Sequence, residues 1–150
     1  MAATLTNLLY HIVFSTKLRV PMITESLEAE LYRYMGGIIR GEGGILLAIG
    51  GVSDHVHLLV KCKPTIAVAD MLRVLKANSS KWINEEKRGL QKFGWQDGYG
   101  AFTVSQSQVP HVRRYIRDQK RHHHEANFQN EMKTLLERHG VEYDERYVWD

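Results

Sequence analysis

Three sets of side chains in this sequence combine residue types and spacings that can do chemistry. His55 and His57 flank Val56 in a stretch that reads as a β-strand. Side chains two apart on a strand share a face, roughly 6.6–6.8 Å apart along it. These two imidazoles can therefore converge on one cation, while Val56, Leu58 and Val60 face the other way. The same pattern suits an incidental pair of surface or core histidines, because the chain holds 8 of them and short motifs recur by chance. Tyr115 and Gln119 are spaced i, i+4 on a predicted helix, one turn apart on one face. A glutamine carbonyl oxygen can complete a metal site, and a phenol one turn away can act as a nucleophile. Read blandly, Tyr115 is a half-buried aromatic and Gln119 a solvated polar residue. Val109, Val112 and Ile116, however, already give that helix a packing stripe. The third set is charge. Between residues 111 and 124 stand Arg113, Arg114, Arg117, Lys120 and Arg121, against Asp118 alone. Such a segment is either a solvated basic face or a contact for a DNA backbone. His122, His123 and His124 follow it, placed to touch the same polyanion and not assigned to a metal.

Hydrophobic periodicity supplies the elements that must position these residues. Residues 8–17 (LLYHIVFSTK) are aromatic and β-branched and roughly alternate, as a strand does. Thr24 can cap a helix to about residue 40, with Leu27, Leu31, Met35 and Ile38 as its apolar face and Gly41, Gly43 and Gly44 at its end. Residues 45–49 form a short strand, Gly50-Gly51 a turn, and 52–61 the returning strand of a hairpin. Pro64 and Thr65 lead into a helix over about 66–87 that buries Val68, Met71, Leu72, Leu75, Trp82 and Ile83. A glycine-rich loop over 93–100 precedes a strand over 101–105. The helix bearing Tyr115 and Gln119 spans about 108–122, with Pro110 in its first turn. Asn127 can cap a last helix to about residue 139, stopped by Gly140. This order predicts an α+β, ferredoxin-like (RRM-like) antiparallel sheet with helices on one face, the nucleophile riding on a helix of the C-terminal half. Many activities use that scaffold, and it does not choose among them.

Whole-chain properties exclude several classes. A length of 150 residues, 43% hydrophobic and 25% charged, suits one compact domain. No apolar run approaches the roughly 20 residues of a membrane span, and the first residues lack the charged and apolar regions of a secretory signal. Cys62 is the single cysteine. That excludes an internal disulfide and a multi-cysteine zinc site, and makes a reducing cytoplasm the expected compartment. A net charge of +3 is mild; its concentration around residues 111–124 is what points to nucleic acid.

The full pattern resembles a known family. His55-Val56-His57, within Ser53-Asp54-His55-Val56-His57-Leu58-Leu59-Val60, resembles the His-hydrophobe-His (HUH) motif of single-strand DNA nucleases. Tyr115-Ile116-Arg117-Asp118-Gln119 resembles the Tyr-x-x-x-Gln element of their single-tyrosine transposases, the enzymes of the insertion-sequence 200/605 group and their REP-associated relatives. His11-Ile12-Val13-Phe14-Ser15-Thr16-Lys17 and Trp95-Gln96-Asp97-Gly98-Tyr99-Gly100-Ala101-Phe102 extend the match over about residues 8–124, leaving a C-terminal helical extension over 125–150 of one domain.

The resemblance implies a transposase that cleaves and rejoins single-stranded DNA with hairpins at the element ends. It implies Mg²⁺ or Mn²⁺ held by His55, His57 and Gln119, and Tyr115 as the nucleophile that becomes linked to the 5′ phosphate. Rejoining by a second 3′ hydroxyl needs no ATP, in keeping with the absence of a G-x-x-x-x-G-K-[ST] loop and of any nucleotide cofactor. An ordinary tyrosine has a pKa near 10, so the metal or Arg114, Arg117, Lys120 and Arg121 are expected to activate Tyr115. Trp95 and Tyr99 can stack on unpaired bases or serve in packing. A homodimer is expected, with the tyrosine acting in cis or in trans. The residues also admit a ferredoxin-like module that binds single strands or hairpins without cleaving them. A phosphoesterase with paired His-x-Thr or His-x-Ser motifs ranks below both, because neither motif occurs twice.

Overall fold

The computed structural model describes residues 2–87, 91–123 and 127–150. Strand β1 (Leu8–Ser15) is followed by helix α1 (Glu25–Gly41), the hairpin β2 (Ile45–Val52) and β3 (His55–Cys62), helix α2 (Val68–Glu86) and strand β4 (Gly100–Thr103). Helices α3 (Val109–Arg117), α4 (Gln119–His122) and α5 (Phe128–Arg138) close the chain. The 4-stranded sheet has the order β2-β3-β1-β4 and is antiparallel throughout. This is the ferredoxin-like arrangement expected from the order of elements.

Alternation along the strands divides the side chains between two layers. Ile12 and Phe14 of β1 and Val56, Leu58 and Val60 of β3 face α1 and α2, where Leu31, Met35, Ile39, Met71, Leu72, Leu75 and Ile83 complete the main core. The oxygen of Thr24 accepts from the Leu27 amide and starts α1 as expected. The opposite face carries a second layer made by the C-terminal helices. Leu9 and Leu59 pack against Val109 and Ile116 of α3, while Val13 and Phe102 pack against Phe128, Met132, Leu135 and Leu136 of α5. His55 and His57 point into the gap between these two apolar groups.

Two local expectations are corrected. Gly50 and Gly51 are not a turn: they lie inside β2, and Ser53-Asp54 makes the hairpin turn instead. The glycines answer a crowding requirement rather than a bend. A Cβ on Gly50 would stand 2.2 Å from the Ile116 carbonyl oxygen, so α3 lies directly on this strand. The helix expected over residues 108–122 is also broken. Asp118 leaves helical geometry (φ −92°, ψ 17°), and the chain restarts as α4. Among the described residues, no helix is long and apolar enough to cross a membrane.

Candidate active site

His55 and His57 are fully buried on the outer face of β3. Each ring is held from behind. The Nδ1 of His55 lies 2.7 Å from Asp54 Oδ1, and the Nδ1 of His57 lies 2.8 Å from Nε2 of His11 on the neighbouring strand. Both Nε2 atoms face the gap between α3 and α5, and with Nδ1 engaged by those partners each Nε2 is available to a cation in place of a proton.

The broken helix delivers the next residues. Tyr115, half-buried on α3, sets its ring 5.6 Å from that of His57. The kink at Asp118 turns Gln119 inward until it is buried. Its Oε1 lies 3.4 Å from His55 Nε2 and 3.0 Å from His123 Nε2. Tyr115, Gln119, His55 and His57 are thus brought together within one chain, in keeping with the motifs that carry them.

Glu131 belongs to none of the sequence motifs. Asn127 caps α5 by accepting from the Asn130 amide, and α5 lays this carboxylate across the gap. Its Oε1 lies 2.8 Å from His57 Nε2, 3.2 Å from His55 Nε2 and 3.1 Å from His123 Nε2. Its other oxygen accepts the Tyr115 hydroxyl. A signal was available: Phe128, Glu131, Met132 and Leu135 follow the i, i+3, i+4, i+7 stripe of a buried helix face. A carboxylate on such a stripe must find partners.

The electrostatics follow from this burial. Desolvation and then His57 push the pKa of His11 down to about 3. Desolvation likewise lowers His57 to about 4 despite the Glu131 carboxylate. In His55 desolvation is outweighed by hydrogen bonds to Asp54 and Glu131, which raise its pKa to about 9. Glu131 also resists its burial, because His123, His55 and His57 hold it far below the usual carboxylate range. Burial and the Glu131 charge raise the Tyr115 phenol above its ordinary value. Arg114, Arg117, Lys120 and Arg121 have exposed side chains, and the Arg138 charge acts to lower the phenol pKa.

The donor set fits a divalent cation. His55, His57, His123 and Glu131 each offer a ligand atom, all within 4.8 Å of one another, and Gln119 adds an amide oxygen at the rim. A carboxylate surrounded by three imidazoles in a buried site is the charge pattern that a cation neutralises.

The remaining assignments separate by exposure. Arg113, Arg114, Arg117, Lys120 and Arg121 all face solvent on α3 and α4, with Lys120 3.1 Å from Glu28 and Arg121 3.7 Å from Asp118. Trp95 is no stacking platform. It is buried between Phe14 and Phe93, and its indole N–H donates to Ser79 Oγ at 2.9 Å. Tyr99 is 40% exposed and lies over the Lys76 ammonium. His124 lies outside the described residues.

The family model described as "Transposase IS200 like" matches residues 4–119. The ISDra2 transposase TnpA of Deinococcus radiodurans is 26% identical over 115 residues, 73% of this chain and 82% of that protein. The fold is similar to the crystal structure of a candidate transposase from Deinococcus radiodurans R1, with a TM-score of 0.64 and 24% identity, covering 77% of this chain and 93% of that one. It is also similar to a REP-associated tyrosine transposase bound to a REP hairpin, with a TM-score of 0.58 and 12% identity, covering 77% of this chain and 68% of that one.

Proposed function

The chain belongs to the IS200-like transposase family, and from that premise we propose that it cleaves and rejoins single-stranded DNA through a covalent 5′-phosphotyrosine at Tyr115. DNA transposition by strand cleavage and transfer is the activity of the family. The observation that carries the finer reading is the position of the Tyr115 hydroxyl. It is hydrogen-bonded to the carboxylate that also meets the imidazoles of His55 and His57.

The residues divide the chemistry among them. The Tyr115 oxygen, its hydroxyl oriented by Glu131 Oε2, attacks phosphorus as the bond from phosphorus to the bridging 3′ oxygen breaks, and the phenol proton ends on that departing oxygen. The strand leaves with a 3′ hydroxyl, and the 5′ phosphate stays on the protein. A second 3′ hydroxyl reverses these bonds, so cleavage and rejoining are isoenergetic and ATP-independent. Mg²⁺ or Mn²⁺ held at the cluster of His55 and His57, with Gln119 beside it, would supply polarisation of the scissile phosphate. Burial between the two apolar groups excludes water, which would otherwise compete with the 3′ hydroxyl.

Arg113, Arg114, Arg117, Lys120 and Arg121 line the outer side of the nucleophile helix and are proposed to hold the DNA backbone. A strand bearing a hairpin is the proposed substrate, given that one structural relative is bound to a REP hairpin. Tyr115 stands beside the histidines of its own chain, which supports cleavage in cis, with a homodimer pairing two such sites. The whole of residues 1–150 would act as one catalytic domain, because α5 contributes to the site.

Incubation with a single-stranded, hairpin-bearing element end and Mn²⁺ is expected to give a detergent-stable protein–DNA adduct. No adduct across a panel of such ends would instead favour a module that binds nucleic acid without cleaving it.

A further inference from the structure

Neither His123 nor Glu131 lies within the segment matched by the family model, which ends at residue 119. Both nevertheless enter the centre of the site. Glu131 Oε1 is the oxygen within 3.2 Å of all three imidazole Nε2 atoms. The Gln119 oxygen touches only two of them, at 3.0 and 3.4 Å, while its amide nitrogen lies 3.4 Å from the Tyr115 carbonyl oxygen.

We propose that the metal site of this protein is completed from its C-terminal segment, with His55, His57, His123 and Glu131 as ligands and Gln119 as a rim partner that orients His123.

Four lines of chemistry support this set. A carboxylate oxygen binds a divalent cation more strongly than a neutral amide oxygen, and here the carboxylate occupies the point on which the rings converge. The Nδ1 atoms of His55 and His57 are engaged by Asp54 and His11, which is how ligand imidazoles are held with Nε2 free. Glu131 is 8% exposed and has imidazoles and a phenol as its side-chain partners, a costly place for a carboxylate unless a cation belongs there. Four protein ligands also leave positions open for phosphate oxygens, which addition of Gln119 as a fifth would restrict.

Two consequences follow. Three imidazoles with one carboxylate favour Mn²⁺ and later transition ions over Mg²⁺. Because the second Glu131 oxygen accepts the Tyr115 hydroxyl, the carboxylate also positions the nucleophile relative to the ion.

The proposal rests on the reading that the histidine cluster binds a metal, and the test separates the two. Mn²⁺ binding to the full chain is measured by calorimetry and by electron paramagnetic resonance, with Mg²⁺ as competitor, for wild type, His57→Ala, Gln119→Ala, His123→Ala and Glu131→Gln. Loss of an outer partner of a metal ligand costs about 10–100-fold in affinity. Loss of a ligand is therefore expected to weaken Mn²⁺ binding at least about tenfold in His123→Ala and Glu131→Gln, with a smaller loss in Gln119→Ala. His123→Ala, which removes an imidazole, should also narrow the preference for Mn²⁺ over Mg²⁺. Thermal melts in chelator establish that each variant is folded, and the rise in Tm on adding Mn²⁺ gives a second readout. If Glu131→Gln and His123→Ala bind like wild type while His57→Ala does not, the metal reading stands and the four-residue set is overturned. A loss in Gln119→Ala as large as in Glu131→Gln also overturns it. If wild type binds no Mn²⁺, or His57→Ala binds as well as wild type, the underlying metal reading fails with it.

Discussion

The Nε2 of His57 lies 2.8 Å from Oε1 of Glu131, a residue 74 positions later in the chain. The site is therefore closed by folding α5 over β3, and His55 and His57 are inaccessible to bulk water. Any activity should depend on what fills that gap.

Metal dependence is the first consequence. His57→Ala removes one imidazole from the floor of the site without opening the α1–α2 core on the other side of β3. DNA cleavage is expected to fall to background in this variant, and wild-type cleavage to stop in excess chelator and return with Mn²⁺. A gel assay of a labelled single strand checks both. Normal cleavage in chelator would remove the metal from the mechanism.

Gly50 offers a geometric test remote from the chemistry. Its missing side chain lets the Ile116 carbonyl approach to where a Cβ would be only 2.2 Å away. Gly50→Ala must push α3 off the sheet, and Tyr115 moves with it. Overpacking of this kind costs about 1–3 kcal/mol, readable by denaturant unfolding. A displacement of roughly 1 Å can cost on the order of 100-fold in rate, so cleavage should fall much further than stability alone explains.

The basic face can be tested through salt. If Arg113, Arg114 and Arg117 neutralise phosphates, replacing all three by alanine lowers the salt slope of single-strand binding by roughly 0.7 for each phosphate left without its cation. Fluorescence anisotropy over a range of salt concentrations measures this. An unchanged slope would return these residues to the role of a solvated face.

Lys76 holds the loop before β4. Its ammonium donates to the carbonyls of Gln96, Asp97 and Gly98 at 3.0, 3.2 and 2.5 Å. Lys76→Met should destabilise the fold by about 1–3 kcal/mol, the penalty for leaving such groups unpaired, while the folded fraction still forms adduct. Thermal unfolding and adduct yield per folded molecule, measured together, check it.

Periodicity and turn residues make the fold legible, because each strand and helix buries one face and both features leave a pattern in the chain. A hairpin turn at Gly50-Gly51 is the natural reading of two adjacent glycines, and it fails for a reason that local sequence does not encode. Gly50 answers the approach of α3, whose Ile116 is 66 residues away (116 − 50), and Gly51 the close backbone of His55 on β3. The break at Asp118 is hidden in the same way, since the helical spacing of Tyr115 and Gln119 continues through it. His55, His57, Tyr115 and Gln119 are legible because they sit in short motifs. His123 and Glu131 are not, because only tertiary packing, at the end of α4 and along α5, joins them to the histidines of β3. In Glu131 the clue is a charge on an apolar stripe, which marks a buried site without naming its purpose.

Peptide mapping of the adduct tests the covalent bond at Tyr115 most directly. Wild-type protein is incubated with a single-stranded element end and Mn²⁺, digested, and the nucleotide-bearing peptide sequenced by mass spectrometry. The expected result is a 5′-phosphate ester on Tyr115, absent from Tyr115→Phe although that variant still binds the strand. An adduct on another residue, or cleavage by Tyr115→Phe at the wild-type rate, would contradict the account.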